Sequence, residues 1–183
     1  AKYYEATISS RGEQLEHFTS LGVALSLMCR NPLLEYGPKA YEDHKKKLSP
    51  YDVEQVVLAI VVTTGIASIF LTKDFTPDYN SGLAHAIFYA LTSYPVIEKH
   101  HLHGEVVGFG VLLALLVDGE ETEFEKVYEL NKKIHLPVSL EEIEITEEQW
   151  EESMNRIPEM SDVAHYPYKV TKEMLSEAMR KLK

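Results

Sequence analysis

The stretch His103-Gly104-Glu105-Val106-Val107-Gly108-Phe109-Gly110-Val111-Leu112-Leu113-Ala114-Leu115-Leu116-Val117 decides the fold class. From Val106 to Val117 it is apolar nearly all round. A membrane span needs about 20 apolar residues, and this run falls short. It reads as a central helix of a bundle, buried on every side. A second run, Val56 to Leu71, is interrupted only by Thr63, Thr64, Gly65 and Ser68. It reads the same way.

Outward from these two runs the punctuation is helical. Asn31-Pro32 and Ser49-Pro50 look like an N-cap followed by a first-turn proline, whose missing N–H costs nothing there. Thr146 with Gln149 fits a capping box, and Thr171 is placed to cap the last helix. The expected helices cover 1–9, 11–30, 32–47, 50–72, 80–94, 103–118, 121–134, 147–156 and 171–182. Strand signals are weak, because Glu141, Glu142 and Glu144 break up the one extended candidate, Val138–Ile145. Residues 158–170 read as a loop ending in extended Tyr166-Pro167-Tyr168. The expected class is all-α, a helical bundle forming a single domain over 1–183.

Composition narrows the function. With 183 residues the chain is long enough for one real core. A formal net charge of -11 opposes binding to a phosphate backbone, so nucleic acid is not an expected partner. The single cysteine, Cys29, excludes a disulfide scaffold and a cysteine-based zinc site, and its apolar neighbours suggest a buried thiol. No signal peptide or lipidation motif is visible, so the cytoplasm is the default and no membrane is expected. The chain opens on Ala1 inside a helical pattern, which reads as a piece of a longer protein. Gly108-x-Gly110 lies inside an apolar helix rather than between strand and helix. It therefore fails the context test for a dinucleotide fingerprint and is better explained by close helix packing. No G-x-S-x-G elbow supplies a hydrolase nucleophile.

The chemistry rests on histidines. Five of the eight, His85, His100, His101, His103 and more distantly His135, fall in one region. His85 sits on a helix among small and apolar residues, where its ring nitrogens need partners; a carbonyl or a water would satisfy them. His103 opens the next long helix, whose N-terminal partial charge favours neutral imidazole, the form that binds a divalent metal. Gly104 beside it permits a close backbone approach. Eighteen residues separate the two rings, enough for a helix end, a turn and a helix start. Two histidines do not complete a site, since catalytic zinc takes three protein ligands. His101 reads as part of a solvated loop, and His100 as a neighbour of substrate.

Together Gly82-x-x-His85-Ala86 and His103-Gly104-Glu105-Val106-x-x-Phe109-Gly110 resemble the iron-containing alcohol dehydrogenase superfamily, in its glycerol dehydrogenase-like branch. The opening Ala1–Ala6 resembles the helix after the family's Gly-x-x-Asp segment. Pro167-Tyr168-Lys169-Val170-Thr171 resembles its turn before the last helix. The resemblance implies the C-terminal metal-binding domain of a dehydroquinate synthase-like fold, with the N-terminal dinucleotide-binding domain absent. It implies that His85 and His103 are metal ligands. The third ligand would be an aspartate falling just before Ala1. Lys2 takes the place where some relatives carry a fourth, which points to Zn2+ rather than Fe2+. The sequence departs from the branch at Phe88 and Tyr89 and over Asp74–Asp78, where Phe75 is an aromatic candidate for facing substrate.

The implied activity is an NAD(H)-linked oxidoreductase of glycerol or a related polyol or alcohol, homo-oligomeric, with this piece inactive alone. The metal would polarise the substrate hydroxyl while hydride passes to the nicotinamide. Other superfamily substrates are a 2-hydroxy acid or glycerol 1-phosphate; Lys99 alone near the histidines argues against a phosphate. The reading from another class is a non-catalytic helical interaction domain.

Overall fold

A computed structural model describes residues 1–72 and 79–182. Asp74–Asp78, with Phe75, lies outside them. Among the described residues the chain is helical without strands. It divides into two compact units, Lys2–Asn80 and Ser81–Lys183, the second grouped with Ala1.

In the first unit α1 (Lys2–Ser9) and the long α2 (His17–Lys45) pack together, and α2 also packs against a helix that runs from Tyr51 to Phe70. That helix consists of α3 (Tyr51–Leu58), a wider π turn over Ala59–Thr63, and α4 (Thr64–Phe70). The Thr64 hydroxyl donates to the Ala59 carbonyl at 2.9 Å, serving a backbone acceptor where the wider turn displaces the usual pattern. A small core gathers Ala6, Cys29, Ala67 and Leu71, with Val23, Leu25 and Tyr79 against it.

Three expectations fail here. Asn31-Pro32 does not start a helix: α2 runs through both Pro32 and Pro38. Each ring removes one helical hydrogen bond, at a cost of about 3 kcal/mol. The packing of α2 against three neighbours outweighs that loss, and Asn31 Oδ1 accepts from the Arg30 guanidinium at 2.8 Å rather than capping. At Ser49-Pro50 the helix begins one residue later, at Tyr51. The third failure is larger. The Val56–Leu71 run is not buried on every side: Ala59, Ala67 and Leu71 are buried, while Val61, Ile69 and their neighbours face outward. By length and composition this helix is also apolar enough to cross a membrane.

The second unit is built around α7 (His103–Asp118), whose residues from Val106 to Leu116 are buried with the exception of Gly108. Fully burying such a large apolar side chain contributes about 1.5–3 kcal/mol, so this helix carries the core as the sequence suggests. It packs against α5 (Leu83–Leu91), α8 (Glu121–Lys133) and α10 (Lys172–Leu182). Its first turn is closed by Glu105, whose carboxylate accepts from the Leu102 N–H at 2.8 Å. Its last turn ends at Gly119, φ 77°, a left-handed position that glycine adopts without Cβ strain. Gly110 sets the closeness of α5 and α7, because a Cβ there would stand 2.7 Å from the Ala84 carbonyl oxygen. Gly108 has ordinary room, so the close packing expected of that pair belongs to Gly110.

Short α6 (Pro95–His100) follows α5 and went unread in the sequence. Glu141–Ile143 is a 3-10 turn rather than extended chain. The expected capping box of α9 (Glu147–Met154) is present: the Thr146 hydroxyl accepts from the Gln149 N–H at 3.2 Å, and Gln149 accepts from the Thr146 N–H at 2.9 Å. Thr171 caps α10, accepting from the Met174 N–H at 3.3 Å.

Candidate metal centre

Two helices of the second unit converge on the candidate centre. His85 lies in the first turn of α5 and His103 is the first residue of α7. Further along α7, Gly110 meets the Ala84 backbone next to His85. The two imidazole centroids stand 5.3 Å apart with ring planes at 45°. Phe88, one turn along α5 from His85, sets its ring edge-to-face on His103 at 4.4 Å. Tyr89, exposed, lies 6.1 Å from His85. His85 is half-buried and His103 exposed, so the pair opens outward from the core.

The donor set fits half of a metal site. An imidazole nitrogen binds zinc at about 2 Å, and two rings sharing one tetrahedral ion place their centroids about 5 Å apart. The observed 5.3 Å matches that separation. Among the described residues no group of three or more His, Cys, Asp or Glu side chains is arranged to hold a metal ion. Two rings alone supply fewer ligands than a catalytic zinc needs. Gly104, expected to admit a close backbone, has open space around it.

The other histidines go elsewhere. His100 Nδ1 lies 2.8 Å from a Glu144 carboxylate oxygen. His101 is not in a solvated loop. Its side chain is only 10% exposed, with Nε2 at 3.3 Å from Glu144 and Nδ1 at 3.8 Å from Glu105. The Glu144 carboxyl is held below its ordinary range, chiefly by the hydrogen bond with His100. His135 closes α8 in a left-handed conformation, φ 60°. In the first unit Lys2 donates to the Asn80 carbonyl at 2.9 Å and also bonds the Asn80 side chain, and burial lowers its pKa.

Two residues that support α5 went unread. The Tyr166 hydroxyl accepts from the Leu83 N–H at 3.1 Å, serving one of the N–H groups that a helix start leaves without a partner. Arg156 donates to the Ala90 carbonyl at 3.0 Å and to the Ser93 hydroxyl at 2.8 Å at the other end of the helix. Neither carries a local signal, because each partner lies more than sixty residues away.

No family model matches the chain. Individual proteins do. A glycerol dehydrogenase from Pseudomonas putida is 31% identical over 157 residues, 81% of this chain and 40% of that protein. Hydroxycarboxylate dehydrogenase A from Escherichia coli is 30% identical over 146 residues, 79% of this chain and 39% of that protein. The crystal structure of glycerol dehydrogenase from Schizosaccharomyces pombe aligns with a TM-score of 0.80 at 21% identity, over 99% of this chain and 46% of that one. At that identity the likeness speaks for the fold alone. The chain spans less than half the length of these relatives.

Proposed function

This chain is a homologue of the glycerol dehydrogenases, in the iron-containing alcohol dehydrogenase superfamily, and from that premise we propose that it is the helical, metal-holding part of an NAD(H)-linked polyol or alcohol oxidoreductase. The observation that carries the proposal is the 5.3 Å separation of the His85 and His103 rings at two adjoining helix starts. His85 and His103 would hold a divalent ion, Zn2+ before Fe2+, with a third ligand from the rest of the protein. When bound, the ion supplies Lewis acidity to the substrate's hydroxyl group.

The chain's own residues set the geometry. Gly110 fixes the spacing of the two helices, and Phe88 restricts rotation of the His103 ring by packing against its face. Glu105 and Glu144 hold the backbone and side chains just ahead of His103. Exposed Tyr89 lies with its ring centroid 6.1 Å from that of His85, and exposed His100, just ahead of His103 in the chain, would be a neighbour of substrate. Hydride transfer belongs to a nicotinamide bound by a separate α/β domain. On this reading the parent is a cytoplasmic homo-oligomer acting on a small molecule, and this chain alone does not turn over substrate.

A second substrate class has a specific observation behind it. Similarity to a hydroxycarboxylate dehydrogenase is nearly as strong as to the glycerol enzymes, so a 2-hydroxy acid is the alternative to a polyol.

Elemental analysis of the full-length parent tests the centre. About one zinc or iron per chain is expected, lost in both His85→Ala and His103→Ala. A metal-free parent after reconstitution, or variants that keep their metal, would rule the centre out. Initial rates with glycerol and with a 2-hydroxy acid then separate the two substrate classes.

A further inference from the structure

Two residues near His103 break local rules, and both adjoin the same imidazole. Leu102 is the N-cap of α7, where Ser, Thr, Asp or Asn is preferred, and it offers no side-chain oxygen to the N–H groups that follow. A helix start leaves its first N–H groups without helical partners, and His103 is the first residue of this one. Glu144 holds a left-handed backbone, φ 57°, which residues other than glycine rarely adopt. Its neighbours Ile143 and Ile145 are buried, and the Ile145 N–H donates to the Leu140 carbonyl at 3.0 Å, so the turn is pinned on both sides. A backbone in so sparse a region persists only where its surroundings over-determine it, and such positions gather at functional sites. His101 stands between the two. Its Nε2 lies 3.3 Å from the Glu144 carboxylate, and its Nδ1 lies 3.8 Å from that of Glu105, which also accepts from the Leu102 N–H at 2.8 Å.

We propose that His101 is a positioning residue for His103. It fixes the peptide that enters α7, and through that peptide the direction in which His103 presents its ring. This role rests on the metal reading of His85 and His103.

His101 touches three elements. Its N–H donates to the Ile97 carbonyl at 3.2 Å and ends α6. Its ring reaches forward to Glu105 of α7 and sideways to Glu144, at the end of the 3-10 turn. Only His101 and Leu102 separate α6 from α7, so holding one ring holds the whole connection. Nε2 is sealed from water and meets the Glu144 carboxylate off the line of a hydrogen bond. A polar contact shielded in this way is screened little by solvent and salt. His100 comes closer to the same carboxylate, at 2.8 Å, but its side chain is 56% exposed against 10% for His101. Exposed pairs contribute little, so the restraint falls to His101. Ile97, Glu105 and Glu144 all belong to the second unit, so the tie does not depend on what covers that unit in the whole protein.

Metal binding by the full-length parent is the test, with Co2+ as the probe because its visible absorption bands report the geometry of its ligands. The wild type should bind Co2+ and show those bands. His101→Ala should weaken binding by about 10-fold, the usual effect of losing a residue that orients a metal ligand, and should alter the bands. His101→Gln, whose amide reaches toward Glu144 as Nε2 does, should recover both. Thr146→Ala removes the cap of α9 in the same unit; it should lower stability and leave affinity and bands untouched. Unchanged affinity and bands in His101→Ala, equal weakening in His101→Ala and Thr146→Ala, or no recovery in His101→Gln would overturn the positioning role while the metal centre stands. A wild type that binds no Co2+ would overturn the metal reading, and the role with it. If His101→Ala does not fold, Glu144→Gln decides, because it keeps the size of the side chain: weaker Co2+ binding supports the role and unchanged binding overturns it.

Discussion

Glu144 holds a left-handed backbone, φ 57°, at the end of the 3-10 turn, and its carboxylate meets both His100 and His101. The hydrogen bond with His100 favours the ionised form, so the folded-state pKa lies below the unfolded one. The pairing therefore stabilises the fold above the ordinary glutamate range and is lost as pH falls through the depressed folded value. Both groups are exposed, so the effect on total stability is small. An NMR titration should find the Glu144 carboxyl below the ordinary range and find it moved upward in His100→Ala. An unmoved midpoint would mean that another neighbour sets it. Local signals, a helix start and apolar flanks, together with the family resemblance, singled out His85 and His103, and the two rings lie 5.3 Å apart. The sequence alone misplaced His101, read as solvated, because which of two adjacent rings is covered depends on Glu144, more than forty residues away.

At the scale of the element, the candidate centre depends on how closely α5 and α7 approach. Gly110→Ala places a methyl group against the Ala84 backbone, with its oxygen at 2.7 Å and its Cα at 2.9 Å. Backbone has no rotamer to change, so the helices must separate. Overpacking of this kind costs about 1–3 kcal/mol. The expected outcome is a lower melting temperature for the chain and a weaker hold on metal in the parent, with neither histidine altered. An unchanged melting temperature would show that the helices separate without cost. Cap chemistry at Thr146 and Thr171 was legible because a hydroxyl acts within three residues. Pro32 misled for the converse reason: a proline discourages a helix locally, whereas the packing that overrides it is not local. The Tyr51–Phe70 helix shows the same limit. Its apolar run is as clear as that of α7, and nothing in the run itself says whether neighbours cover it.

For the whole molecule the division into Lys2–Asn80 and Ser81–Lys183 has a consequence for cooperativity. The second unit is tied from both ends: Tyr166 bonds Leu83, and α10 covers α7. Ending the chain after Met160 removes both ties and leaves α1–α4 intact. Hydrogen exchange on that truncation should show protection lost across α5 and α7 and kept in α2. Equal loss in both units would show that they unfold as one.

The bond from the Leu83 N–H to the Tyr166 hydroxyl also orders events during synthesis. Its partners are separated by 83 residues of chain. The helix bearing His85 leaves the ribosome long before the residue that closes its first turn. It waits, apolar and uncapped, while α2 already has α1, α3 and α4 to pack against. Exposed hydrophobic segments of that kind are aggregation-prone before domain closure. The nascent chain therefore passes through a stage in which its first unit can be complete while the half carrying both histidines still needs shelter.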